Sequence, residues 1–190
     1  MPGGSLAVPG GDEVVPVINK LAKKFANVVL TQDWHSAGHR SFASSHAAKK
    51  PFDVVGLEYG DQILWPDHCV QGIHGARLHA KLKVAHARLV LRYSAFAEAD
   101  RKTPTWLGGY LRERGIDCIY VCGLAMDFCV AWTALDARKL GFKVTVIEDA
   151  CRAIDTQGSP LWLHRSADGV CLTSRLNPSR TLRCRCRFVS

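Results

Sequence analysis

The sequence lacks the features that mark membrane, secreted and zinc-finger proteins. No apolar run approaches the roughly 20 residues of a membrane span, and MPGGSLAVPGG at the start has neither the charged nor the apolar region of a signal peptide. Eight cysteines are present, but no two have the C-x-x-C spacing of a zinc finger. We therefore expect a cytoplasmic protein with no membrane partner and no disulfide framework.

Acidic residues are in short supply, and the shortage is uneven. The chain has 25 Lys and Arg against 17 Asp and Glu, a net charge of +8. Residues 1–150 are nearly balanced, with 18 basic and 15 acidic residues, whereas residues 151–190 have seven Arg, no Lys and two acids. A basic tail binds phosphate without selectivity, so we expect no specific nucleic-acid partner.

The remaining composition is that of one globular domain. Hydrophobic residues make up 47% and charged residues 22% of the 190, which excludes a disordered, collagen-like or coiled-coil chain. A chain of this length buries enough surface to fold without metal or disulfides.

Apolar, β-branched segments alternate with amphipathic ones. Strands are predicted at 28–33, 87–91, 118–122 and 142–147, and helices at 13–25 (with Asp12 as N-cap), 105–114 and 127–140. This alternation is typical of a parallel sheet covered on both faces, so we predict an α/β fold with three αβα layers. Residues 34–80 read as loops. After Ser159 the pattern decays, with one more strand at 169–173 and an unstructured Arg/Cys-rich end.

Cys129 lies where a predicted strand ends and a helix begins, in GLAMDFCV. Unpaired N–H groups and the helix dipole at such a position lower a thiol's pKa and favour a nucleophilic thiolate. The same N–H groups are placed to hold an oxyanion. The alternative is a buried structural cysteine.

A second group of polar residues follows the first strand. Asp33 and His35 in QDWH, with His68 in WPDHC, offer a carboxylate and two imidazoles to a divalent metal. Spacing alone does not select these three, because other histidines are available, namely His39, His46, His74, His79, His86 and His164. A surface Asp and loop histidines are the competing interpretation.

These segments resemble the nicotinamidase branch of the isochorismatase-like cysteine hydrolases. The resemblance rests on QDWHSAGHRSFASSH, LWPDHCVQGIHGARLH, YSAFAEADRKTPTWLGGYLRERGID and CGLAMDFCVAWTALDARKLGFKVTVIEDACRAID, and it extends over residues 2–159. It implies an incomplete hydrolase domain over residues 1–159 and a poorly ordered basic tail over residues 160–190.

The resemblance also implies a role for each site residue. Cys129 is the nucleophile, and Asp33, His35 and His68 hold a divalent metal, with Zn²⁺ favoured and Fe²⁺ or Mn²⁺ also suited to these ligands. A cis peptide near Leu124–Ala125 shapes an oxyanion hole formed by Ala125 and Cys129. The substrate, nicotinamide, contacts Trp65, Tyr93 and Leu124. The implied reaction is hydrolysis to nicotinate and ammonia through a thioester, in NAD salvage.

The sequence departs from the family's pattern in three places. The apolar first strand and its catalytic Asp are absent before Pro2, and Arg92 runs straight into Tyr93, where the family has a catalytic Lys and a loop. The segment after Ser159 does not match the family's last helix and strand. We expect a truncated chain with two strands unpaired along one side of the sheet, which favours self-association as a homo-oligomer.

The departures leave alternatives to nicotinamide hydrolysis. One is a metal-binding remnant with impaired catalysis, because losing a general base typically costs about 10²–10⁴-fold in rate. Another is a different hydrolase of the same family, such as one that acts on isochorismate.

Overall fold

The computed structural model describes residues 3–84, 87–90, 94–97, 103–155, 170–173 and 186–189. The helices are α1 Val14–Ala22, α2 Leu107–Glu113 and α3 Ala131–Lys139. The strands are β1 Val28–Thr31, β2 Val54–Leu57, β3 Gly60–Ile63, β4 Arg88–Val90, β5 Cys118–Leu124, β6 Lys143–Arg152, β7 Val170–Thr173 and β8 Cys186–Val189. None of the helices described is long and apolar enough to cross a membrane.

Six of these strands form one parallel sheet in the order β4-β1-β8-β5-β6-β7. α1 packs on β5 and β6, and α3 packs on β6 and β7. Strand β5 is buried along nearly its whole length, as expected for a central parallel strand covered on both faces. The predicted α/β class and parallel sheet are confirmed.

The start of α1 differs from the prediction. A 3₁₀ turn, Gly11–Glu13, precedes the helix, and no side chain caps α1. Asp12 therefore lies inside this turn, and its prediction as the N-cap was wrong. Backbone hydrogen bonds from Gly11 to Val8 and from Glu13 to Gly10 already use N–H groups that a capping side chain would serve. Pro16 falls in the first turn of α1, where it is tolerated.

The centre of the sheet is closed by the last strand of the chain. β8 lies between β1 and β5 and pairs in parallel with both, with Phe188 opposite Val28 on one side and Tyr120 on the other. The expectation of two strands left unpaired was therefore wrong. Buried backbone N–H and C=O groups need partners, and β8 supplies them to both neighbours.

The region beyond Ser159 also contains the predicted strand near 169–173, which is β7 and pairs with β6. An unstructured end was expected for the Arg/Cys-rich segment, but its last described residues, Cys186–Val189, are strand. The division of the chain after residue 159 stays a prediction.

Residues 34–80, predicted as loops, contain two strands and two short 3₁₀ turns, Ala43–Ser45 and His74–Ala76. β2 and β3 form an antiparallel hairpin apart from the main sheet, with Val54 opposite Ile63. The hairpin leads back into Leu64 and Trp65, and these two residues are buried. It thereby positions the start of the WPDHC segment.

Candidate active site

Asp33, His35 and His68 converge at the carboxyl end of β1. Their potential ligand atoms all lie within 4.8 Å of one another. Oδ2 of Asp33 is 3.8 Å from Nε2 of His35 and 3.9 Å from Nε2 of His68. All three side chains are mostly buried, and one carboxylate oxygen with two imidazole nitrogens on one side suits a divalent cation with open positions for water or substrate.

Backbone pairing brings the two histidines together although 33 residues separate them. The N–H of His35 donates to the carbonyl of Cys69 at 3.0 Å, and the carbonyl of His35 accepts from Gln71 at 2.8 Å. These bonds form a parallel bridge between His35 and Val70. The bridge sets the two imidazole rings 5.0 Å apart.

A hydrogen bond to the backbone fixes the ring of His68. Its Nδ1 donates a 2.7 Å hydrogen bond to the carbonyl of Pro66, which leaves the lone pair on Nε2. Metal-binding histidines are commonly held in this way by a second group. Burial lowers the pKa of His68, so the neutral ring that a metal requires is favoured.

The ring of His39 lies against that of His35, although the sequence interpretation did not select His39. The centroids of the His39 and His35 rings are 4.5 Å apart, and Nδ1 of His39 lies 2.8 Å from the hydroxyl of Ser41. Burial, together with His35 and His68, lowers the pKa of His39. The available signal was its spacing of four residues after His35, which other histidines in the chain made ambiguous.

Cys129 lies just beyond β5, as predicted. The peptide bond between Leu124 and Ala125 is cis, in agreement with the resemblance. A π-helical segment, Met126–Val130, then leads into α3. Cys129 is partly buried within this segment rather than in a regular first α-helical turn.

The electrostatics of Cys129 differ from the prediction of a lowered pKa. Burial raises the pKa of the Cys129 thiol well above its ordinary value, and the Asp33 carboxylate raises it further. The backbone N–H groups of Ala125 and Cys129 act on the sulfur in the opposite direction. The prediction was wrong because desolvation of an enclosed thiol outweighs the peptide dipoles that favour its anion.

The two N–H groups that act on the sulfur are those of Ala125 and Cys129, the pair predicted as an oxyanion hole. N–H groups beside a nucleophilic sulfur are placed to receive the oxygen of an attacked carbonyl. Trp65, three residues before His68, contacts Phe128, which precedes Cys129, so the thiol segment lies against the segment that carries a candidate metal ligand.

Aromatic side chains lie beside the segment that carries Cys129. Trp65 is buried, and its ring packs edge-on against that of Phe128 with 4.9 Å between the ring centroids. Phe128 directly precedes Cys129 in the chain. Phe52 packs against Trp65 at 5.9 Å and is largely exposed. Tyr93, predicted to contact substrate with Trp65, lies outside the described residues, as does Arg92.

Leu124 is partly buried at the end of β5, where it was predicted to contact substrate. The N-terminal segment closes over it at Gly11, where an added Cβ would lie 3.1 Å from Cδ1 of Leu124. Glycine at this position therefore permits the close approach. On the same side, Arg152 ties β6 to this segment through a 2.7 Å ion pair with Glu13.

The chain is similar in sequence and fold to known proteins. The isochorismatase domain matches residues 2–174. A nicotinamidase from Acinetobacter baylyi is 53% identical over 180 residues, covering 89% of this chain and 84% of the relative. A solved nicotinamidase/pyrazinamidase from Acinetobacter baumannii is 53% identical, with a TM-score of 0.85 over 90% of this chain and 88% of that one.

A third relative is a solved pyrazinamidase from Pyrococcus horikoshii in complex with zinc. It is 32% identical with a TM-score of 0.73, and 92% of each chain is covered. The isochorismatase domain match over residues 2–174 includes the segments that carry Asp33, His68 and Cys129. The chain belongs to the isochorismatase family.

Proposed function

We propose that the protein is an amidohydrolase that converts nicotinamide to nicotinate and ammonia through a thioester at Cys129. The observation that carries the proposal is the edge contact between Trp65 and Phe128, because it places the segment that carries His68 against the residue next to Cys129. The 53% identity to a nicotinamidase of Acinetobacter baylyi supports the choice of substrate.

Asp33, His35 and His68 would hold a divalent cation. The hydrogen bond from His68 to Pro66 supports this assignment, because it presents Nε2 to the cluster. Zinc is the ion named with the Pyrococcus horikoshii relative, and Fe²⁺ and Mn²⁺ also suit this ligand set. When bound, the cation supplies a Lewis acid that orients the pyridine nitrogen of the substrate.

The chain's own groups account for the bonds that form and break. Sγ of Cys129 attacks the carboxamide carbon, and the N–H groups of Ala125 and Cys129 hold the resulting oxyanion. The C–N bond then breaks, and the thiol's proton leaves with ammonia. Water attacks the thioester, the C–S bond breaks, and nicotinate and the free thiol are released.

Trp65, Leu124 and Tyr93 would hold the ring while this occurs. The edge contact between Trp65 and Phe128 supports the assignment of Trp65, since it seats the indole beside the nucleophile. Holding the carboxamide over the sulfur turns an encounter between two molecules into a reaction within one complex.

We place the reaction in the cytoplasm, where it would return nicotinamide to the NAD pool. A catalytic thiol must stay reduced, and the cytoplasm provides that environment. Cys69, Cys129 and Cys151 are free thiols, in keeping with this placement.

Ammonia release from nicotinamide by the zinc-loaded protein tests the function. We expect turnover by the wild type, none by Cys129→Ala, and wild-type rates from Cys171→Ala, which removes an exposed thiol on β7. Zinc bound in the wild type without ammonia release would contradict the proposal and identify a metal-binding remnant. Turnover of isochorismate in place of nicotinamide would assign a different hydrolase of the family.

A further inference from the structure

Asp127 connects the segment that carries Cys129, Met126–Val130, to the loop that follows β6 through hydrogen bonds. It lies two residues before Cys129 in the π-helical segment Met126–Val130. Its two carboxylate oxygens each accept a 3.1 Å hydrogen bond from the N–H of Ile154, and Oδ2 also accepts one of 2.9 Å from Asp155.

The pairing of β5 with β6 explains why those N–H groups need a side-chain acceptor. The register shifts after Val121, and pairing resumes with Gly123 opposite Cys151 and Leu124 opposite Arg152. At that point β5 ends and the chain turns away through the peptide between Leu124 and Ala125. The Asp127 carboxylate then accepts hydrogen bonds in place of the next carbonyls of β5. This matters because a backbone N–H without an acceptor destabilises the folded protein.

The segment that Asp127 anchors is itself a hydrogen-bonded unit. The carbonyl of Ala125 accepts from the N–H of Phe128 and from that of Val130, both at 3.1 Å. The N–H groups of Ala125 and Cys129 act on the sulfur from within this unit. Fixing Asp127 to the β6 loop therefore fixes the sulfur and both N–H groups relative to the sheet.

We propose that Asp127 is a positioning residue of the active site, which sets the orientation of Cys129 and the oxyanion-binding N–H groups by accepting hydrogen bonds from Ile154 and Asp155. Its role in turnover rests on the proposed function. Its role in placing the thiol does not, because the hydrogen bonds exist whatever the substrate.

The test compares Asp127→Ala and Asp127→Asn with matched changes at Asp117. Asp117 lies at the opposite end of β5, where it is exposed and pairs with Lys143, so its Ala and Asn variants remove the same charge away from the site. An asparagine at 127 keeps one oxygen, which in the place of Oδ2 accepts from both N–H groups. The comparison thus separates the loss of an acceptor from the loss of a charge.

Two readouts are made on the zinc-loaded protein. The first is kcat and KM for ammonia release from nicotinamide. We expect Asp127→Ala to lower kcat by about 100-fold, as a displacement of about 1 Å in an active site does, with KM nearly unchanged. We expect Asp127→Asn to recover most of that loss and both Asp117 variants to match the wild type.

The second readout is the rate at which iodoacetamide alkylates Cys129, followed by mass spectrometry of the peptide that contains it. We expect this rate to change in Asp127→Ala and to return towards the wild-type value in Asp127→Asn. Zinc content, measured on each sample, should be equal in all variants.

Several outcomes would overturn the positioning role. They are an unchanged kcat and alkylation rate in Asp127→Ala, an equal defect in the Asn and Ala variants, or a matching defect in the Asp117 variants. If Asp127→Ala does not fold, Asp127→Asn must still retain near-wild-type values for the proposal to stand. A wild type that releases no ammonia counts against the proposed function alone, because alkylation still tests the position of the thiol.

Discussion

The carbonyl oxygen of Pro66 accepts a 2.7 Å hydrogen bond from Nδ1 of His68. A carbonyl only accepts, so Nδ1 carries the proton and Nε2 has the free lone pair. That lone pair belongs to the atom 3.9 Å from Oδ2 of Asp33. The loop that supplies His68 thus also fixes which nitrogen it offers to a cation.

This arrangement predicts a selective loss of metal binding on replacing His68. We expect His68→Gln to lower zinc affinity by at least about 10- to 100-fold, the range seen when even a supporting partner of a ligand is removed. Titration against a competing chelator measures the affinity. His74→Gln, at an exposed histidine, serves as the control and should bind zinc as the wild type does. Equal affinities in the two variants would exclude His68 as a ligand.

The buried thiol of Cys151 should make the free energy of unfolding fall at alkaline pH. Burial raises the pKa of this thiol from 9.0 to about 12. Between these values the unfolded chain loses its proton while the folded chain keeps it, so the stability present below pH 9 declines as the pH rises. The decline is at most about 1.4 kcal/mol per pH unit for one group.

Urea unfolding measures this decline. The proteins compared are the wild type, Cys151→Ala and Cys171→Ala, over about two pH units from about 8.5 to 10.5, where the unfolded thiol loses its proton. We expect a shallower pH dependence in Cys151→Ala than in the other two proteins, whatever its absolute stability. Parallel curves for all three would contradict a raised pKa at Cys151.

Because β8 lies in the middle of the sheet, we expect its backbone hydrogen bonds to be required for the stability of the fold. Phe188 pairs with Val28 and Tyr120, so a proline there removes a ladder donor and introduces a ring into the middle of the sheet. We expect Phe188→Pro to lower the melting temperature sharply and to speed amide exchange in β1 and β5. Phe188→Leu keeps the N–H and should preserve amide protection in both strands. Unchanged protection in the proline variant would show that β8 does not pair there.

The position of Cys129 just after a strand could be predicted, because it follows from the pattern of apolar residues in the neighbouring sequence. A short apolar run ending in Gly123, followed by residues of helical character, indicates a strand-to-helix junction wherever it occurs. The clustering of Asp33, His35 and His68 was expected only with the help of the resemblance, since the chain has other histidines that spacing alone does not exclude.

The position of β8 and the contacts of Asp127 could not be predicted in this way. Four strand residues in an Arg/Cys-rich segment give no periodic signal, and their partners Val28 and Tyr120 are distant in sequence. The bond between Asp127 and Ile154 likewise follows a register shift between β5 and β6 that no local pattern reveals.

The sequence by itself determined the alternation of strands and helices and the identity of the chemical groups. The tertiary structure decided the protonation tendency of Cys129, because desolvation depends on which segments enclose the sulfur. It also decided which segment completes the sheet, because backbone groups in a buried sheet need partners and a strand far along the chain meets that need as well as a near one.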